Sequence, residues 1–143
     1  MDSNPNLRHA AFEYLSGLPA FGAYFGLALL LLAVFVLIYL RITPYREIHL
    51  IRDGNVAAAA SLGGALIGFA IPLASSIEHS VALLDMLLWA LVALVAQIAA
   101  FVIARLCVPA LSRNIEQGQV ASGVFLGSVA IAIGLLNAAS MSW

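Results

Sequence analysis

Four uninterrupted apolar runs, approximately Ala20–Leu40, Val56–Ile77, Val81–Ala104 and Val120–Ser140, leave this chain few ways to fold. At about 1.5 Å of rise per residue, each is long enough as a helix to cross a hydrocarbon core of roughly 30 Å. Barrel strands are excluded, because they alternate in polarity and run only about ten residues. A soluble fold fails as well: apolar types make up 64% of the 143 residues, charged types 9%, and lysine is absent. So little polar surface cannot cover a water-soluble domain. The expectation is an all-α integral membrane protein with four transmembrane helices and no soluble domain. The first run does not resemble a cleaved signal peptide: it is too long, an acid (Asp2) stands near its start, and Arg41 and Arg46 halt it.

A second feature organises those runs. Residues 51–76 read IRDGNVAAAASLGGALIGFAIPLASS and residues 115–140 read IEQGQVASGVFLGSVAIAIGLLNAAS, with nine of 26 positions identical at a constant offset of 64. Ile51/Ile115, Gly54/Gly118, Val56/Val120, Gly63/Gly127, Ile67/Ile131 and Ser76/Ser140 carry the match, and Arg41/Arg105 extend it upstream. Each copy is a polar turn followed by an apolar helix. The chain therefore divides into a tail (residues 1–19) and two tandem two-span units (20–77 and 81–143) in one membrane domain. Two helices per unit make the units enter the membrane in the same direction, unlike the inverted repeats of many transporters.

Arginine placement orients the units. Arg41, Arg46, Arg52, Arg105 and Arg113 flank the first and third connections, whereas the second connection and the C-terminus carry no arginine. The positive-inside rule makes segments 41–55 and 105–119 cytoplasmic and puts both termini in the periplasm. These arginines are candidates for contact with anionic lipid or a docking partner. A net charge of −1 gives no reason to expect nucleic acid, and the single cysteine, Cys107, forbids an intrachain disulfide.

Local signals fill in the remainder. Asn4 suits a helix cap and Pro5 a first helical position; Leu7, Ala11, Tyr14, Leu15 and Leu18 then recur near helical spacing. That pattern predicts a short interfacial helix ending at Gly17–Pro19. Pro44 and Pro109 are expected to stop the first and third spans, and Pro72 to kink the second and free the Gly68 carbonyl. Asp53 is placed to cap the second span. The segment 46–52 reads as a short surface helix in which glutamate and arginine pair, or the arginines meet anionic lipid, or the surface docks a partner. Small-residue spacing at Gly22/Gly26, Gly64/Gly68 and Gly123/Gly127 marks helix-packing faces, since close backbone approach replaces the hydrophobic effect in lipid. The second and fourth spans are the expected central pair, joined within one chain or between chains.

Few side chains carry chemistry. Gln97 lies near the middle of the third span and is either an interhelical hydrogen bond or a cavity-lining amide. Asp85 is either an intramembrane acid or a residue at a helix N-terminus. Asn137, Ser75, Ser76, Glu78, His79 and Ser140 share its level, as interface residues or as a polar vestibule. His9, His49 and His79 are scattered, so no metal cluster and no cofactor is expected. No nucleophile–base pair or phosphate loop appears.

The tract Glu47…Leu50-Ile51-Arg52-Asp53-Gly54-Asn55-Val56-Ala57, followed by Gly63-Gly64…Gly68-Phe69…Pro72-Leu73-Ala74, resembles a bacterial inner-membrane family. Leu84-Asp85-Met86-Leu87-Leu88-Trp89 with Gln97, and the closing Gly134-Leu135-Leu136-Asn137-Ala138-Ala139, strengthen the likeness to the YjfL-like proteins, a domain of unknown function numbered 350. The resemblance covers residues 21 to 141 and implies units of about two spans in tandem, in the bacterial inner membrane. It implies no activity and assigns no residue a role. The expected function is therefore non-enzymatic: a membrane subunit, surrounded by lipid, that forms homo-oligomers or docks a membrane-protein partner. The alternative is a small channel or transporter with a polar path through Gln97, Asp85 and Asn137.

Overall fold

The computed structural model describes residues 5–141, and every regular element among them is helical. Their order is α1 (Pro5–Ile42), α2 (Glu47–Arg52), α3 (Val56–His79), α4 (Leu83–Cys107), α5 (Leu111–Glu116) and α6 (Val120–Met141). Four of them are long and apolar enough to cross a membrane: Phe12–Ile42, Val56–His79, Leu83–Cys107 and Val120–Met141. These contain the expected spans, apart from Val81 and Ala82, which precede α4. α1 and α4 stop just short of Pro44 and Pro109, where a helix would lose a donor and clash with its preceding turn.

α1 departs from expectation. No break falls at Gly17–Pro19, and the helix runs through Pro19 as one 38-residue rod, so the interfacial helix is not a separate element. Proline's fixed φ is itself helical, and the long runs of helix-forming residues on both sides carry the chain across one missing hydrogen bond. The capping role expected of Asn4 lies outside the described residues.

The two short helices belong to matching turns. Gly54 and Gly118, 64 positions apart, both take positive φ (85° and 81°), which glycine adopts without steric cost. In each turn the glycine N–H returns to a carbonyl three residues back, Ile51 or Ile115 at 3.0 and 2.9 Å. The following N–H reaches a carbonyl five back, Leu50 or Asn114, at 2.9 Å in both. Asn55, not Asp53, caps α3: its side chain accepts from the Ala58 N–H at 2.9 Å. Two residues nearer the helix start than expected, Asn55 has the extended backbone that aims a cap oxygen at the first turn. Asp53 instead forms an exposed pair with His49 at 2.9 Å.

α3 and α6 make the centre of the bundle and run parallel. Gly123 lies against Ala57, Gly127 against Ala60 and Gly64, Gly68 against Ala130, and Gly134 against Gly68. A methyl group on Gly127 would stand 2.6 Å from the Ala60 carbonyl oxygen, too close for any real carbon. The glycine faces of the second and fourth spans thus meet within one chain. α4 closes over this pair through Met86, Ala90, Ala93, Ala100 and Ala104, all buried. α1 leans on the outside. Its main attachments are Phe35, stacked on Phe69 at 4.4 Å, and Tyr39, edge-on to Phe101 at 5.9 Å.

Candidate functional site

At the arginine-bearing end, where α1 gives way to α2, the chain buries polar groups. Glu47 opens α2 and is 1% exposed; Ser61 on α3 donates to its Oε1 at 3.3 Å and to the Ala58 carbonyl at 3.1 Å. Tyr39, from the last turns of α1, and Tyr45, from the connection, close over it, and both are buried. Thr43 holds the connection by donating to the Tyr39 carbonyl at 3.1 Å. Three buried oxygens here form no hydrogen bond: Glu47 Oε2, Tyr39 Oη and Tyr45 Oη. The Tyr45 hydroxyl lies near enough to Glu47 and Ser61 to interact with both without closing a bond.

Burial governs the electrostatics of this cluster. Removal from water pushes the Glu47 carboxyl up to about 7, although the hydroxyls of Tyr45 and Ser61 pull it partly back by favouring the charged form. Burial, and then the neighbouring Glu47 charge, holds the Tyr45 phenol far above its ordinary value. Outside the cluster, Leu40, Thr43, Pro44, Tyr45 and Glu47 border a cleft of about 440 Å³, with Arg46, His49 and Arg52 on its rim.

Of the alternatives for segment 46–52, the pairing of Glu47 with its flanking arginines does not occur. Glu47 turns inward to Ser61, while Arg46 and Arg52 point outward and make no ion pair among the described residues. In a six-residue helix one side must face the bundle, and the face that meets α3 carries Glu47. Arg41, Arg105 and Arg113 are also exposed, and Arg105 sits 5.6 Å above the Phe101 ring. Glu47 was not among the candidates read from the sequence. The one hint in the sequence is that the position 64 residues on, Leu111, is apolar; its full burial is visible only in the fold.

The candidates that were read fall in separate places. Gln97 is 2% exposed and donates from Nε2 to the Ala130 carbonyl at 3.0 Å, bridging α4 to α6 across Gly68 of α3. Asp85 occupies the first turn of α4 and is half-buried, where its charge meets the positive end of the helix. It stands twelve residues from Gln97, about 18 Å along the axis. Asn137 shares with Asp85 the end of the bundle opposite the arginines, and its Nδ2 is buried without a partner. The neighbouring polar groups turn onto backbone: Ser76 to Leu73 (2.7 Å), Ser140 to Leu136 (2.8 Å), His79 to Ser75 (2.8 Å), and Ser75 to Ala138 across the seam (3.4 Å). Gly64, Gly68, Gly123 and Gly127 are buried in that seam, whereas Gly22 and Gly26 on α1 have open space beside them. Among the described residues, no three His, Cys, Asp or Glu side chains converge as a metal site would require.

Comparison with known proteins places the chain. Residues 13–141 match the family model described as Domain of Unknown Function (DUF350). The chain is 41% identical over 129 residues to the UPF0719 inner membrane protein YjfL of Escherichia coli (strain K12), covering 90% of this chain and 98% of that protein. It is 30% identical over 115 residues to the UPF0719 transmembrane protein YshE of Bacillus subtilis (strain 168), covering 79% and 84%. No solved structure matches. With four membrane-capable helices and relatives named as membrane proteins along nearly its whole length, the chain belongs to the DUF350 family of YjfL-like transmembrane proteins.

Proposed function

We propose that this is a non-catalytic inner-membrane subunit that associates with a second copy of itself through α1. The observation that carries this reading is the contrast between two glycine faces. On α3 and α6 the small-residue face is filled by the neighbouring helix, while on α1 the same spacing, Gly22 and Gly26, faces open space. In lipid such a face gains van der Waals contact from a close-packed helix that acyl chains cannot supply. Phe21 and Phe25 stack at 5.4 Å beside it and offer a rigid flank. A membrane-protein partner in the same position is the variant of this reading. The test is stoichiometry in lipid vesicles by single-molecule photobleaching, for the wild type and for Gly22→Leu with Gly26→Leu. Association that falls in the variant supports the reading; a monomeric wild type overturns it.

The two halves, 20–77 and 81–143, are copies of one two-helix unit. Support comes from the 64-residue spacing of the Gly54 and Gly118 turns and their near-equal φ. The arginines put segments 41–55 and 105–119 in the cytoplasm and both termini in the periplasm. Exposed Cys107 provides the check, since it must react with a membrane-impermeant thiol reagent in inverted vesicles only. A transport path through Gln97, Asp85 and Asn137 has less support, because the Gln97 amide is closed against Ala130 and Gly68.

A further inference from the structure

The orphaned oxygens at the arginine-bearing end carry a function of their own. Glu47 Oε2, Tyr39 Oη and Tyr45 Oη come from α2, α1 and the connection between them, and each is shut from solvent without a hydrogen bond. Buried polar atoms are almost always partnered, so three unpartnered oxygens in one place call for a physical account. We propose that Glu47 is a proton-binding site, its buried carboxyl exchanging one proton with the open cleft beside α2.

The donor count fits both states. Protonated, Oε2 gains an O–H that can donate to a tyrosine hydroxyl oxygen; ionised, the carboxylate can accept from both phenols while Ser61 continues to donate to Oε1. Only a proton moves, between cleft water and the carboxyl, and no other bond is made or broken. A route exists because Glu47 and Tyr45 line the cleft as well as the buried cluster.

The surrounding charges leave the carboxyl poised. α1 presents Tyr39, the connection Tyr45, and α3 the neutral hydroxyl of Ser61. From α4, Arg105 acts on Tyr45. On α2 itself His49 is tied to Asp53, and Arg46 and Arg52 are exposed on the cleft rim. No cation is bonded to Glu47 among the described residues. Burial therefore dominates, and it places the exchange at about pH 7. This inference is independent of association through α1.

Infrared difference spectroscopy of the purified protein in phospholipid vesicles tests it. A protonated-carboxyl C=O absorption should disappear with a midpoint near pH 7, be missing from Glu47→Gln, and persist in Asp85→Asn. Tyr45→Phe and Ser61→Ala, mild changes that remove hydroxyls favouring the ionised form, should each shift the midpoint upward. They decide the matter if Glu47→Gln fails to fold. An ionised Glu47 at every pH, a midpoint in the ordinary carboxylate range, or a midpoint indifferent to both hydroxyls would overturn the proposal. So would an absorption that follows sodium or potassium at fixed pH, which would make the ligand a metal cation.

Discussion

The carbonyl of Gly68, freed within α3 by Pro72, is met by the bare α-carbon of Gly134 on α6. A proline in mid-helix normally leaves the carbonyl four residues back without a donor, which is costly in lipid. Here the neighbouring helix comes close enough to cover it, with a Cα–H facing the oxygen. The carbonyl freed by Pro72 and the glycine seam are thus one device.

Gly134→Ala should therefore destabilise the bundle, because its methyl would fall on the Gly68 carbonyl and push α6 away. Gly123→Ala meets the Ala57 carbonyl in the same way. Overpacking of this kind costs about 1–3 kcal/mol, which denaturant-induced unfolding in mixed micelles will register. Gly22→Ala and Gly26→Ala, with open space beside them within the chain, should not lower the unfolding midpoint of the dissociated monomer. Equal losses at all four positions would contradict the seam.

Gln97 holds α4 to the seam, and its replacement separates hydrogen bonding from packing. Loss of a membrane-embedded interhelical bond is worth roughly 0.6–2 kcal/mol. Gln97→Ala loses that bond and the contacts over Gly68, whereas Gln97→Leu restores volume and should be the milder variant. Ion flux into vesicles should be the same for wild type and both variants. A flux that depends on Gln97 would revive the transport reading.

The spans were legible because a membrane demands unbroken apolar runs, and the turns because Gly54 and Gly118 stand at one offset with Asn55 and Gln119 behind them. The repeat singled out the second and fourth spans as the central pair, but that their glycine faces meet within one chain was not legible, since spacing alone does not tell a neighbour in the chain from one in a second copy. The same limit hid Glu47. Between Arg46 and Arg52 it resembles a surface charge, and its burial depends on Ser61, fourteen residues away, and on Tyr39 from the preceding helix. Pro19 misled for a different reason: a proline signals a helix end locally, but the apolar run around it decided the outcome.

Asn55 joins the two turns and should matter more than its neighbour. Its Oδ1 caps α3, and its Nδ2 donates to the Ile115 carbonyl at 2.9 Å, at the end of α5. Asn55→Ala should cost about 0.5–2 kcal/mol, the range for a lost N-cap. Asp53→Ala breaks only an exposed pair with His49, typically worth below about 1 kcal/mol. The two unfolding midpoints, measured side by side, check the order.

Glu47 gives stability a pH dependence of definite sign. Its carboxyl titrates at about 7 in the folded chain against 4.5 when free, so between those values the folded state holds the extra proton. The group's contribution is therefore fully present below pH 4.5 and is lost as pH rises through 7. A buried acid with a depressed value, as in an ion pair with Arg46 or Arg52, would give the opposite slope. Glu47→Gln mimics the protonated form and should flatten this part of the profile, gaining on the wild type mainly above pH 7. Thermal unfolding in detergent across that window is the measurement. A wild-type profile that rises with pH, or one that Glu47→Gln leaves unaltered, would show that the carboxyl is ionised in the fold and that burial does not control it.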